Sequence, residues 1–285
     1  MEITELIKAI FLGIVEGITE WLPVSSTGHL ILVDEFLKLK ASDEFKEMFD
    51  VVIQLGAIMA VVVLYWGKIF PFGKKNNEHP LKPDGAGAYI KTDIFSMWFK
   101  VLVACIPTIV IGLPFEDIMH KMFYNWQTVA VMLILFGIAF IVVERWNKNR
   151  KPVFDSIASM PYNVALMIGA FQLIAAVFPG TSRSGATIVG ALIIGVSRTV
   201  AAEFTFFLAI PAMFGASVLK LLKFGFDFTA NELIILLTAS IVAFVVSVIA
   251  IKFLMGYIKK NDFTAFGWYR IILGAAVIAY FLVTT

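Results

Sequence analysis

The chain has 285 residues, of which 60% are hydrophobic and 15% charged, with a formal net charge of +2. Soluble domains average about 45–50% apolar and 25% charged residues, so this composition excludes an ordinary soluble domain and indicates a polytopic membrane protein. A single cysteine, Cys105, rules out an intramolecular disulfide and a thiolate metal cluster, and the near-neutral charge gives no reason to expect a nucleic-acid partner.

The first residues, Met1 to Glu5, lack the basic segment of a cleaved signal peptide, so residue 1 is expected to be retained. A spanning helix needs about 20 apolar residues. Six runs meet that requirement, near 49–66, 97–113, 127–143, 202–222, 232–255 and 266–283. Four more, near 4–20, 24–39, 161–178 and 184–197, are interrupted or too polar. Pro23 breaks the first two apart, and Pro179-Gly180 the second two. Short apolar pairs around such breaks suggest re-entrant helical hairpins, tolerated where they are buried in protein or line water.

The expected fold class is therefore all-α: one integral membrane domain over 1–285, with six full spans and two hairpins. The order hairpin, three spans, hairpin, three spans is an internal repeat, 1–143 and 161–285. A hairpin returns to its own side and three spans cross, so the second repeat should be inverted. Such repeats place a site where their broken helices meet.

Charge placement gives an orientation. One set of loops carries Lys68, Lys74, Lys75, Lys82, Lys91, Arg145, Lys148, Arg150, Lys151, Arg198, Lys259 and Lys260. The opposite side carries only Lys38, Lys40, Lys46, Lys121 and Lys223. The richer side should be cytoplasmic, with Met1 and Thr285 outside. The patch Arg145 to Lys151 reads most simply as an anchor near lipid headgroups.

Two polar stretches stand inside this apolar sequence. One runs from Glu16 through Glu20, Pro23, Ser25, Ser26, Thr27 and Gly28 to His29. The other is Pro179-Gly-Thr-Ser182-Arg183-Ser184-Gly-Ala-Thr187. A charged side chain in mid-membrane costs roughly 2.5–3.5 kcal/mol on insertion scales, so Glu16, Glu20 and Arg183 are functional by default and should pair or face water. Glu16 and Glu20 are four apart and share one helix face. Close carboxylates resist joint ionisation unless a cation, or a shared proton, sits between them.

After Pro23 a helix restarts, and Ser25, Ser26 and Thr27 fall in its first turn, where free N–H groups favour an anion. His29 is four after Ser25 and three after Ser26. Either serine could share its face in a nucleophile–base pair, and a purely structural histidine remains the alternative. Arg183 offers a planar fork suited to phosphate, or simply neutralises a glutamate. Ser182, Ser184 and Thr187 are either ligands to substrate or caps and packing hydroxyls.

Two glutamates and one arginine leave one net negative charge, to which a diphosphate adds about two to three more. Helix N-termini, at about 0.3–2 kcal/mol each, do not offset that. A divalent cation bridging carboxylate and phosphate oxygens does, with Glu16 and Glu20 as its ligands.

The two stretches resemble the signature motifs of the undecaprenyl-diphosphate phosphatase family, also called the bacitracin-resistance protein family. Phe49 to Gly56, Glu203 to Pro211 and Tyr269 to Gly274 resemble further family stretches, so the similarity covers nearly the whole chain. The resemblance implies a multi-pass enzyme of the bacterial plasma membrane. It would hydrolyse undecaprenyl diphosphate to undecaprenyl phosphate and inorganic phosphate, aided by a divalent cation such as Mg²⁺ or Ca²⁺. That reaction recycles the lipid carrier of peptidoglycan and confers bacitracin resistance. Residue by residue, the resemblance implies Glu16, Glu20, Ser26, His29 and Arg183 as the catalytic set. From their own chemistry at the two helix starts, Ser25, Thr27, Ser182, Arg183, Ser184 and Thr187 are expected to bind the substrate. Ser26 would attack the terminal phosphorus with His29 as proton shuttle, or water would attack with Glu20 as base. The site would open to the extracytoplasmic side. The sequence leaves the oligomeric state open, with a homodimer as one alternative. It also leaves open a transporter of lipid phosphate, which an inverted repeat with a midplane site would suit.

Overall fold

A computed structural model describes residues 3–73, 78–82, 84–225 and 227–284. Met1, Lys74, Lys75 and Thr285, which bear on the orientation, lie outside the described residues. Twelve α-helices and no strand occur among the described residues. In chain order they are α1 (Ile3–Thr19), α2 (Ser26–Phe36), α3 (Asp43–Leu64), the single turn α4 (Trp66–Ile69), α5 (Thr92–Pro107), α6 (Glu116–Phe123), α7 (Trp126–Asn147), α8 (Tyr162–Val177), α9 (Arg183–Ile194), α10 (Arg198–Phe224), α11 (Ala230–Ile258) and α12 (Thr264–Thr284).

Six of these are long and apolar enough to cross a bilayer: α3, α5 with its π-helical extension to Gly112, α7, α10, α11 and α12. They coincide with the six runs legible in the sequence, and the protein is multi-pass. The interrupted segments form helices too. At 1.5 Å rise per residue, α1, α2, α8 and α9 are about 17–26 Å long, shorter than the roughly 30 Å hydrocarbon core.

Local sequence explains where the spans begin. Ser42, Asn125 and Ser197 cap α3, α7 and α10 through bonds to the N–H groups of Phe45, Thr128 and Val200. Thr229 and Glu232 form a reciprocal capping box at the start of α11. Each such cap satisfies donors that the first helical turn leaves free.

Packing is matched between the two halves of the chain. Helix α1 lies against α11, and α8 lies against α5. Helix α3 packs on α10, and α7 on α12. Small residues allow these backbones to approach. Gly137 of α7 and Gly267 of α12 face each other so closely that a Cβ on either would stand 2.7 Å from the other's carbonyl oxygen. The largest core joins Trp21 to the middle of α10, where its ring meets Phe206 edge-on at 5.3 Å. Trp21 and Val24, in the break between α1 and α2, belong to this core, and Gly180 and Thr181, in the break between α8 and α9, are buried.

Candidate active site

Both short pairs turn in the same way. The second helix of each starts from a serine whose backbone is left-handed: Ser25 has φ 76° and Ser182 has φ 69°. Among the described residues these are the only non-glycine positions with positive φ. A side chain there costs energy that the surrounding structure must repay, and such strain clusters at functional sites. The repayment is visible. Ser25 Oγ accepts from the N–H of Gly28 at 3.2 Å, and Ser182 Oγ accepts from that of Gly185 at 3.1 Å. The pattern Ser-x-x-Gly thus builds two equivalent capped helix starts from different sequences.

The turns meet through side chains. Arg183 Nη2 donates to Glu20 Oε1 at 2.8 Å, and Arg183 Nη1 donates to the Thr205 carbonyl at 3.0 Å. Ser26 Oγ donates to Glu20 Oε2 at 3.1 Å. Glu20 therefore stands between the Ser26 hydroxyl of one turn and the Arg183 guanidinium of the other. The Arg183 fork also lies over the buried Trp21 ring, 6.0 Å from its centroid. Ser26, Thr27, His29, Ser182 and Arg183 are half-buried, so a ligand can reach them.

Other expected residues face inward. Ser25 is buried as a cap, and Ser184 is buried with its hydroxyl on the Glu20 carbonyl at 3.2 Å. Thr187 is fully buried. Its hydroxyl bonds the Arg183 carbonyl at 2.9 Å and the Thr205 hydroxyl at 2.8 Å. The hydroxyls of Ser25, Ser184 and Thr187, expected on the substrate, bond to protein groups and brace the turns that carry Ser26 and Arg183.

His29, expected as a proton shuttle or a structural residue, has both ring nitrogens engaged. Its Nδ1 is 2.7 Å from the Ser25 carbonyl and its Nε2 is 2.7 Å from the Tyr269 hydroxyl, with the two rings stacked 5.6 Å apart. A carbonyl only accepts, so Nδ1 carries a proton. The two nitrogens contact the Ser25 carbonyl and the Tyr269 hydroxyl, while the Ser26 hydroxyl bonds Glu20. The acceptor beside Ser26 is Glu20.

Glu16 is fully buried, and neither of its carboxylate oxygens has a hydrogen-bond partner among the described residues. It lies within electrostatic reach of Glu20, Asp50 and Arg183. An unsatisfied buried carboxylate is costly and calls for a proton or a cation. No ready-made group of three or more His, Cys, Asp or Glu ligands occurs among the described residues.

Arg270 was not singled out from the sequence as a site residue. It is fully buried on α12, and it joins the two turns. Nη1 donates to the Pro23 carbonyl at 3.2 Å; Nη2 donates to the carbonyls of Gly180 at 2.9 Å and Thr181 at 2.8 Å. The only legible signal was a charged residue inside an apolar span, the same argument applied to Arg183.

A family profile described as bacitracin resistance protein BacA matches residues 9–276. An undecaprenyl-diphosphatase of Desulfitobacterium hafniense is 64% identical over 285 residues, covering 100% of this chain and 99% of that protein. Undecaprenyl-diphosphatase 1 of Clostridium acetobutylicum is 60% identical over 283 residues, with 99% and 100% covered. An undecaprenyl-diphosphatase of Enterococcus faecalis is 60% identical over 286 residues, with 99% of each chain covered.

Replacing Arg270 by Met would strand the carbonyls of Pro23, Gly180 and Thr181. Each stranded buried acceptor costs about 1–3 kcal/mol. The melting temperature of purified Arg270→Met protein in detergent is expected to fall by several degrees, and that of Arg270→Lys by less. An unchanged melting temperature in Arg270→Met would contradict the bridging role.

Proposed function

The chain belongs to the bacitracin resistance protein BacA family, and from that premise we infer that it is an undecaprenyl-diphosphate phosphatase. It hydrolyses undecaprenyl diphosphate to undecaprenyl phosphate and inorganic phosphate, recycling the lipid carrier for peptidoglycan synthesis and conferring bacitracin resistance. The observation that carries the site assignment is the line Ser26–Glu20–Arg183, which joins a hydroxyl, a proton acceptor and a guanidinium fork across two helix starts.

The diphosphate binds at the paired N-termini of α2 and α9, where backbone N–H groups favour an anion. Arg183 and the hydroxyls of Thr27 and Ser182 grip its oxygens, and the fork suits phosphate better than a lysine would. Ser26 Oγ attacks the terminal phosphorus. Its proton passes to Glu20 Oε2, which already accepts its hydrogen bond. The bond from that phosphorus to the bridging oxygen breaks, and undecaprenyl phosphate leaves. Water then hydrolyses the phosphoserine, with Glu20 taking the water's proton as Ser26 recovers its own. His29, locked between the Ser25 carbonyl and Tyr269, holds the strained Ser25 turn in shape.

A divalent cation, Mg²⁺ or Ca²⁺, fits the orphaned oxygens of Glu16, with Glu20 as the second ligand. The chemistry it would supply is to offset charge on the phosphoryl oxygens.

We further propose that the halves 1–143 and 161–285 are inverted repeats, each opening with a re-entrant hairpin. The paired helix lengths, the matched packing and the two left-handed serines support this. The plasma membrane is the expected location, with the site open to the extracytoplasmic side, on the strength of the basic loops at the opposite end. The lipid tail then lies between spans.

Phosphate release from a C55 diphosphate by purified protein tests the reading. Arg183→Lys loses the fork's bonds to charged groups, worth about 1.5–3 kcal/mol each, so turnover should fall about 10- to 100-fold. Ser26→Ala should fall to near background, and acid quench of wild type with terminally labelled substrate should leave label on Ser26. Substantial Ser26→Ala turnover without labelled serine would indicate attack by water.

For orientation, single cysteines at 148 and 223 in a Cys105→Ser background should behave oppositely in intact cells. An impermeant maleimide should label 223 and spare 148, and the reverse pattern would overturn the outward-opening site.

A further inference from the structure

The strongest feature outside the active site is a cavity of about 480 Å³ where the end of α7, the start of α10 and the end of α11 come together. It shares no residue with the Ser26–Glu20–Arg183 site. Because α7, α10 and α11 are spans, the meeting of their ends lies at the level where bilayer and water join.

Its walls are basic. Lys148, Arg150, Lys151 and Lys259 line it, and all four are exposed. Glu144 is the one carboxylate among the lining residues, and it is already spoken for. Arg198 donates Nε to Glu144 Oε1 at 2.9 Å, and Arg198 Nη2 bonds Glu144 Oε2 at 2.5 Å. Glu144 Oε1 also accepts from the Phe263 N–H at 3.1 Å. The buried acid is neutralised by its own arginine, and the four outer cations keep their charge for something else.

The walls are also fixed. Ser197 N–H donates to the Phe154 carbonyl at 2.9 Å, and Val153 N–H to the Gly195 carbonyl at 2.8 Å, tying the 151–156 segment to the turn between α9 and α10. Asn147 Nδ2 donates to the Leu192 carbonyl at 2.9 Å and ties the end of α7 to α9. Arg150 stacks 4.0 Å above the exposed Trp146 ring. Amphipathic aromatic rings of this kind favour the headgroup level. Beside the basic residues, Ile193 and Val153 also line the cavity and expose apolar surface.

We propose that this cavity binds the headgroup of an anionic phospholipid, its phosphate among Lys148, Arg150, Lys151 and Lys259 and its chains along Ile193 and Val153. A basic pocket between span ends suits such a headgroup. The adjoining apolar strip is what favours a lipid over a free phosphate. The bound lipid would tie the ends of α7, α10 and α11 together without entering the catalytic chemistry.

The test uses the purified full-length protein in neutral detergent. Native mass spectrometry and thermal melts would be followed while phosphatidylglycerol, phosphatidylcholine, sn-glycerol 3-phosphate or inorganic phosphate is added. Phosphatidylglycerol should be retained and raise the melting temperature, and phosphatidylcholine should do neither. Each cation near an anionic lipid contributes roughly a fivefold effect. The concentration of phosphatidylglycerol for half-maximal protection should therefore rise about 100-fold in the Lys148→Gln/Arg150→Gln/Lys151→Gln variant. Lys259→Gln, on the opposite wall, should raise it about fivefold, which keeps the test decisive if the triple variant does not fold. Equal effects of the two lipids, or variants that match wild type, would overturn the proposal. So would protection by inorganic phosphate or glycerol phosphate equal to that by phosphatidylglycerol, which would mean a simple anion site.

Discussion

A helix that stops inside an apolar bundle leaves carbonyls with no partner, and two such stops can face each other only if something satisfies both. Arg270 does this. Its guanidinium reaches the Pro23 carbonyl of one turn and the Gly180 and Thr181 carbonyls of the other. Burying a guanidinium with no carboxylate partner among the described residues would ordinarily be prohibitive, and here several carbonyl dipoles compensate. The same group sets a steric limit, because a Cβ at Gly185 would come within 3.0 Å of Arg270 Nη1. One buried side chain from the last span thus fixes the distance between the two helix starts.

The rest of the site follows from that distance. Two left-handed serines aim α2 and α9 at a common point, and each is capped three residues on. Glu20 crosses the gap to Arg183, and Ser26 leans on Glu20. A site assembled before substrate arrives needs little reorganisation when charge develops on phosphoryl oxygens. Glu16 is the site carboxylate with both oxygens unpartnered among the described residues. That group is where binding of a cation would relieve the most unfavourable burial.

The six spans were legible because length and hydropathy alone specify them. The site stretches were legible because Glu16, Glu20 and Arg183 are too costly in a bilayer to be incidental. Direction was not legible. Ser184 and Thr187 lie beside Arg183 in sequence, yet helical phase turns them into the protein, onto Glu20, Thr205 and the Arg183 carbonyl. His29 shares a helix with Ser26, yet Tyr269 claims its outer nitrogen from 240 residues away. Arg270 reaches Pro23 from 247 residues away, and Thr205 meets Arg183 from 22. Such partners follow from how α10 and α12 dock, and no local pattern around residue 26 or 183 encodes that docking.

The central claim is that both turns act on a single diphosphate. The direct test is a structure with an unreactive prenyl methylenediphosphonate bound. The terminal phosphorus should lie within reach of Ser26 Oγ with its oxygens on the Arg183 guanidinium. A diphosphonate held by one turn alone, or seated in the basic cavity at the ends of α7, α10 and α11, would contradict the account.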